Sequence, residues 1–323
     1  MKTLRDKIMD ASMPVIFYEL LPPPGEKAAN TDAYIDCAID LLTSTPVNID
    51  GVNIPEIRDE SKDEQRTDEF VPKMDPRHFA ERLEQAYRNI NVVLNHCTVY
   101  EDWEEQKAWL LKSSAHQNLG GVILVGGSSS KIQYVGPSVI EMLQYIRSHH
   151  ARELFCGGIT IQTRRAHDAI RDEPHRLLTK SLNGMEFFTS QIIYDPISIK
   201  FLLRDYAYAC REEGIEPKRI FLSFAPVSSQ KDLRFLRWLG VFIPKTVEDE
   251  LFKAEIGIGW RSLKIATNNL LEILQFMNKE KIQVPLGLNI EHVSRHNFEL
   301  SFEFVERLGE VYYNHVQGFP IKF

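Results

Sequence analysis

The 323-residue sequence predicts a closed (β/α)8 barrel, a TIM barrel. A strand-like apolar run followed by a helix-like stretch recurs eight times. The strand runs are nearly continuous in Val, Ile, Leu and Phe, as parallel strands covered on both faces require. The length also suits one such barrel, for which about 250 residues are typical, with the surplus gathered before the last strand. An open doubly wound sheet is the competing architecture, but no G-x-G-x-x-G follows the first strand.

The first strand lies within 14–21, apolar except for Glu19, and is stopped by Pro22, Pro23, Pro24 and Gly25. A helix follows over 31–42, with Ala33, Cys37, Ala38, Leu41 and Leu42 near 3.6 spacing. The second strand takes 47–54, and a charged loop fills 56–70. Asp75 and Pro76 offer an N-cap and a first-turn proline to the next helix. The third strand spans 91–99 and its helix 103–116. The fourth, 121–125, ends in Gly126-Gly127-Ser128-Ser129-Ser130 before a helix over 136–149. The fifth is 154–161, with a helix within 172–182. The sixth, 185–194, runs into Asp195-Pro196, which caps a helix to 211. The seventh is 219–224. Extra helices fill about 229–280 before the eighth strand at 284–290 and a closing helix over 294–308. The whole chain, 1–323, reads as one domain.

Composition excludes several functions. Lys and Arg number 38 against 45 Asp and Glu, a net charge of −7, which leaves no basic stripe for nucleic acid. Cys37, Cys97, Cys156 and Cys210 are far apart, without a C-x-x-C, so neither a disulfide framework nor a zinc site is expected. Free buried thiols in a reducing compartment fit better. His149-His150, and His292 with His296, lack the carboxylate or cysteine company of a metal site. The N-terminus is mixed and charged, unlike a signal peptide, and no window approaches 18 uncharged apolar residues. The expected location is cytoplasmic, with no membrane partner. Homo-oligomers are common among barrels, and one is open to this chain.

Barrel active sites form at the C-terminal strand ends. That rule selects Glu19, then 53–60, 95–98, 126–130, 160–165, 191–195, 225–230 and 289–292. Glu19 shares one strand face with Val15 and Phe17. A lone carboxyl among apolar neighbours is partnered or neutral, and desolvation raises its pKa toward that of a working general acid. A structural Glu bonded to arginine or backbone is the competing reading. Gln191 interrupts an apolar strand, and a buried amide suits the edge of a planar heterocycle, although a satisfied core Gln fits the spacing equally. Gly126, Gly127 and Ser128 give a small-residue strand end that a cofactor ring or phosphate could approach; a plain loop looks the same. Lys180, on the helix before the sixth strand, is by default a solvated charge.

These residues carry a family likeness. Phe17-Tyr18-Glu19-Leu20-Leu21-Pro22-Pro23 resembles the first strand of methylenetetrahydrofolate reductases, where F-E-x-x-P-P holds the acid. Lys180-Ser181-Leu182-Asn183-Gly184 and Thr189-Ser190-Gln191-Ile192-Ile193-Tyr194-Asp195 are similar to the family's K-x-x-x-G-A and I-T-Q-x-x-F-D. Ala225-Pro226-Val227 looks like its L-P-V, and Leu288-Asn289 like its L-N. The likeness runs from the first strand to the eighth. It implies a barrel that reduces 5,10-methylenetetrahydrofolate to 5-methyltetrahydrofolate, with Glu19 as general acid. Gln191 would bind the pterin, and Asn289, Gln230 and Glu291 would line the folate pocket. His96, Gly126, Gly127, Ser128 and Lys180 would face the cofactor.

Where the family's fourth strand ends in R-G-D, this chain has Gly126-Gly127-Ser128, and the family's fifth-strand Y-P-E-x-H is missing. The third-strand H-L-T-C survives only as Asn95-His96-Cys97-Thr98. Flavin groups are lost more than folate groups. The pattern is similar to a divergent branch that takes hydride directly from reduced nicotinamide, so NADH or NADPH is the implied donor and FAD is disfavoured. The alternative is a non-redox folate-binding or methyl-transfer partner that has lost flavin chemistry.

Overall fold

A computed structural model describes residues 2–25, 31–59, 69–114, 116, 118–127, 131–149, 154–164, 172–254 and 256–318. The strands are β1 (Ile16–Glu19), β2 (Gly51–Ile54), β3 (Val92–Cys97), β4 (Leu119–Val125), β5 (Cys156–Thr160), β6 (Phe187–Ser190), β7 (Arg219–Phe224) and β8 (Leu286–Glu291). They pair in chain order, all parallel, and β8 closes on β1. This is the expected barrel. Several strands are shorter than the apolar runs that announced them. β6 stops at Ser190, although Ile192, Ile193 and Tyr194 stay buried, because an apolar run reports burial and not ladder pairing.

The helices are α1 (Leu4–Met9), α2 (Thr31–Ser44), α3 (Pro76–Ala86), α4 (Trp103–Ser113), α5 (Val139–His149), α6 (Glu173–Leu182) and α7 (Pro196–Glu212). Between β7 and β8 come α8 (Gln230–Trp238), α9 (Lys245–Leu251) and α10 (Ile258–Glu280), and α11 (Phe298–Val316) ends the described chain. Asp75 and Asp195 cap α3 and α7, accepting from Arg77 N at 2.8 Å and from Ile197 N at 3.0 Å, each with a proline next.

The sequence reading did not include α1. A Thr3–Asp6 capping box starts it, and Leu4 and Ile8 plug the N-terminal end of the barrel. They meet an interior layer of Val15, Phe17, Val93, Ile123, Phe155, Phe187 and Phe221. Phe17 stacks on Phe221 at 4.0 Å. Room for these rings comes from glycine: a Cβ on Gly157 would lie 2.4 Å from the Phe187 ring, and one on Gly287 would lie 2.5 Å from Phe221. Buried Arg219 fixes the plug by donating to Ile8 O (2.9 Å) and Asp10 O (2.6 Å). With that end sealed by apolar side chains, polar inward positions are left to the C-terminal rim.

Cys97, Cys156 and Cys210 are buried thiols outside any disulfide, and burial pushes Cys156 up to about 12. Cys37 departs from the expectation. It is exposed, because α2 turns Tyr34, Ile35 and Ala38 inward instead. Among the described residues no helix is long and apolar enough to cross a membrane.

Candidate functional site

Alternation along each strand sends every second side chain into the lumen. Above the aromatic layer the next inward positions are polar on six strands, with Glu19, Asn53, Asn95, Thr189, Ser223, Asn289 and Glu291, while Val125 on β4 and Ile159 on β5 stay apolar. Glu19 and Glu291 are register partners on β1 and β8, so two carboxyls project side by side. Asn53 Nδ2 donates to Glu19 Oε2 at 3.3 Å. Asn289 Nδ2 donates to Glu291 Oε1 and to Ser223 Oγ, each at 3.0 Å. Glu19 is thus held by an amide and a second acid, not by an arginine.

Both carboxyls are half-buried, enclosed by protein except on the side that faces a cavity. Burial raises both pKa values, and the nearby Glu291 charge adds to the rise at Glu19, which sits well above the usual carboxylate range. Glu291 is pushed up to about 7 by burial, against the opposing pull of Ser223 and Asn289. The pair therefore titrates as a unit and keeps a proton near neutrality. In the same layer Asn53 Oδ1, Asn95 Oδ1, Thr189 Oγ1 and Asn289 Oδ1 have no hydrogen-bond partner among the described residues. These four atoms are themselves buried, and of this polar layer Glu19 and Glu291 are the residues that line the cavity.

The acid pair opens into a lobe of about 200 Å³ walled by Leu21, Ile57, Phe235, Trp238 and Val293. Four of these, Leu21, Ile57, Phe235 and Val293, also line an outer lobe of about 330 Å³ that extends past Pro22, Pro23 and Pro24. Lobes of this size suit a small molecule. Val293 has φ +58°, uncommon for a β-branched residue, and Ser294 N donates to His292 O across it at 2.5 Å. That strained turn sets the Val293 side chain in the wall common to both lobes. Beside it, buried His292 accepts from Leu21 N at 3.2 Å through Nε2 and faces Ser294 O at 3.2 Å through Nδ1. Burial lowers it to about 4, so the imidazole is neutral at pH 7 and pins the proline stretch to β8.

The predicted site residues separate into two groups. Glu19, Asn289 and Glu291 come together at the rim. Gln191 follows β6, but both ends of its amide are engaged by backbone: Oε1 accepts from Ile192 N at 2.9 Å and Nε2 donates to Leu239 O at 3.3 Å. Gln230 is exposed on the first turn of α8, and the cleft is lined instead by the next residues, Lys231 and Asp232.

His96 has the outward parity of Val92 and Leu94. Its ring stacks on Trp109 at 3.7 Å between Glu56 Oε2 (3.0 Å) and Gln106 Oε1 (2.6 Å), facing α4 and not the lumen. Burial opposes charge on Glu56, yet His96, Arg58 and Cys97 N together hold its carboxyl below the usual range. Lys180 is no solvated charge. It lies between α6 and the sheet, donates to Ile159 O at 2.6 Å, and is lowered by burial to about 8.

The strand-four glycines serve the chain itself. A Cβ on Gly127 would fall 2.3 Å from the Tyr134 ring, and one on Gly126 would meet Val139 at 3.4 Å. The space assigned to a cofactor holds Tyr134, edge-on to Tyr100 at 5.4 Å. Ser128 and residues 60–68 of the charged loop lie outside the described residues. The described groups expected to face the cofactor, His96, Gly126, Gly127 and Lys180, thus do not form an open cradle. Gly127→Ala is expected to destabilise the fold by about 1–3 kcal/mol through overpacking, measured by urea denaturation, and by less in a Tyr134→Leu background.

Sequence reasoning passed over Thr189 and Ser223, although a polar residue two positions beyond Phe187 and Phe221 signals an inward polar layer. It also passed over Lys73 and Lys231, which no short motif gathers.

Fold and rim together define a (β/α)8 barrel with a paired-acid cleft at the C-terminal strand ends, where barrel enzymes carry their active sites. No family model matches the chain, and no curated protein matches its sequence. Among solved structures it is similar to an uncharacterized protein from Clostridium thermocellum that binds two copies of 5-methyl-5,6,7,8-tetrahydrofolic acid. The match has 22% identity and TM-score 0.77, covering 95% of this chain and 99% of that one. A dihydropteroate synthase from Xanthomonas albilineans also matches, at 10% identity and TM-score 0.46, over 96% of each chain. At such identities the likeness is one of fold.

Proposed function

We propose that the cleft binds a reduced folate and that the protein reduces 5,10-methylenetetrahydrofolate to 5-methyltetrahydrofolate, with hydride from NADH or NADPH and a proton from Glu19. The acid pair carries this reading. Glu19 and Glu291, side by side at the cavity, call for a ligand edge rich in N–H donors, which a reduced pterin presents. The Clostridium thermocellum barrel, which binds 5-methyltetrahydrofolic acid, supports it, as does the Phe17-Tyr18-Glu19 to Pro23 motif.

Protonation of N10 by Glu19 breaks the N10–methylene bond and opens the five-membered ring, leaving an iminium at N5. Hydride adding to the methylene carbon completes the methyl group. Glu19 ends the cycle as a carboxylate and regains a proton from water, with Glu291 beside it favouring the protonated form. Gly127 under Tyr134 and Lys180 on Ile159 O argue for hydride passing directly from the nicotinamide rather than through FAD. The same engaged residues favour a second reading, a non-redox folate-binding partner. Anaerobic mixing of NADH with methylenetetrahydrofolate, with and without FAD, separates the readings. The expected result is one NADH oxidised per 5-methyltetrahydrofolate formed, without FAD. Turnover only with FAD contradicts direct transfer, and folate binding without NADH oxidation in either mixture supports the partner.

A further inference from the structure

A helix that covers a barrel normally turns charged and polar side chains to solvent, and the outer face of α7 does not. Its residues Ile199, Leu202, Leu203, Tyr206, Ala209 and Cys210 are buried against the barrel. On the opposite side Ile197 is 54% exposed, Phe201 46% and Tyr208 51%. Leu182, exposed at the end of α6, flanks the same helix, where Ser181 Oγ meets Tyr206 OH at 2.8 Å. Apolar surface gathered in this way marks an interaction site. The cations of the stripe lie against its rings, with the Arg204 guanidinium 4.9 Å from the Phe201 ring and that of Arg211 5.3 Å from the Tyr208 ring. Asp205 and Glu212 balance them, so the stripe offers no net charge to a nucleic acid or an anionic membrane.

The order of the residues identifies the partner. Ile197, Phe201, Arg204, Asp205, Tyr208 and Glu212 fall on about 100° of the helix circumference. They are placed symmetrically about the midpoint between Arg204 and Asp205: Phe201 and Tyr208 lie three residues outside that pair, and Ile197 and Glu212 seven. A two-fold axis through the midpoint, perpendicular to the helix, lays α7 antiparallel on a second α7. Phe201 of one copy then meets Tyr208 of the other, and Arg204 meets Asp205, each contact occurring twice. Arg204 Nε donates to Asp205 Oδ1 within the chain at 2.7 Å, which leaves the other guanidinium N–H groups and the second carboxylate oxygen for the facing copy.

From this self-complementary stripe we infer that the α7 face is the interface of a two-fold dimer, and that its partner is a second copy of this chain. The inference is independent of the folate reading. Sedimentation velocity of the full chain tests it. The wild type is expected to run at twice the 37.3 kDa chain mass at about 10 µM and above. Phe201→Glu is expected to run as a monomer there. Arg204→Asp and Asp205→Arg each set like charges together across the axis, and each is expected to weaken the dimer at least about tenfold. Mixed in equal amounts, these two variants face opposite charges at both contacts again, so a heterodimer should form with near wild-type affinity. A pair satisfied within one helix cannot produce that rescue. All three substitutions are on the outer face of α7, and thermal melts matching the wild type would show the variants folded. A wild type that stays monomeric at about 100 µM overturns the inference. So does an oligomer that none of the three variants weakens, and so does a mixture that associates no better than its components.

Discussion

Glu19→Gln is expected to lower kcat for NADH-dependent reduction by about 10²–10⁴-fold, the usual contribution of a positioned general acid. Affinity for 5-methyltetrahydrofolate should move only a few-fold. The substitution keeps the volume of the side chain and leaves an amide oxygen to accept from Asn53 Nδ2, now 3.3 Å from Glu19 Oε2. What disappears is the ionisable proton that breaks the N10 bond. A kcat loss without a matching loss of product affinity marks an interaction made in the transition state. An unaltered thermal melt would show that the variant is folded. A folded variant with unchanged kcat would remove Glu19 from the chemistry.

Glu291→Gln is expected to act on the pH dependence. Burial is the larger cause of the raised Glu19 pKa, and the Glu291 charge is the second. Without that charge the Glu19 pKa falls part of the way. Reduction needs Glu19 protonated, so the decline of kcat/KM on the alkaline side should move to lower pH in the variant. Stability should change in the opposite sense. Glu291 is raised from an ordinary 4.5 to about 7 in the folded state. Its proton favours folding fully below about pH 4.5, and this contribution is lost as pH rises through about 7. Wild-type stability should therefore decline between those values, and the Gln variant, which keeps the raised Glu19, should decline less steeply. At pH 8 the variant is expected to be more stable by on the order of 1–3 kcal/mol in urea denaturation. Parallel pH profiles for the two proteins would mean that Glu291 carries an ordinary carboxylate.

The sequence made the barrel legible because parallel strands are buried on both faces, so each left an apolar run bounded by turn residues. The acid pair was legible for a related reason. Glu19 interrupts such a run, and Glu291 lies two residues past Asn289 at the end of another. What stayed hidden depends on contacts distant in the chain. The partner of Gly127 is a ring seven residues away, and the partner of Lys180 is the carbonyl of Ile159, and no local pattern announces either. His96 was legible in principle, since it shares parity with Val92 and Leu94 and so faces the helices. A family likeness at 95–98 outweighed that parity, and the structure restores it. The helix α1 also carried a signal, the Thr3–Asp6 capping box, but six residues are too few for periodicity to register.

Everything proposed for the chemistry depends on a proton held by the Glu19–Glu291 pair. The direct test is a carboxyl titration by NMR on protein carrying ¹³C-labelled glutamate, with Glu19→Gln and Glu291→Gln used to assign the two signals. A carboxyl pair titrating in coupled steps that reach neutrality, and collapsing to a single lower step in Glu291→Gln, is the predicted result. Two signals that both titrate near the ordinary 4.5 would contradict it.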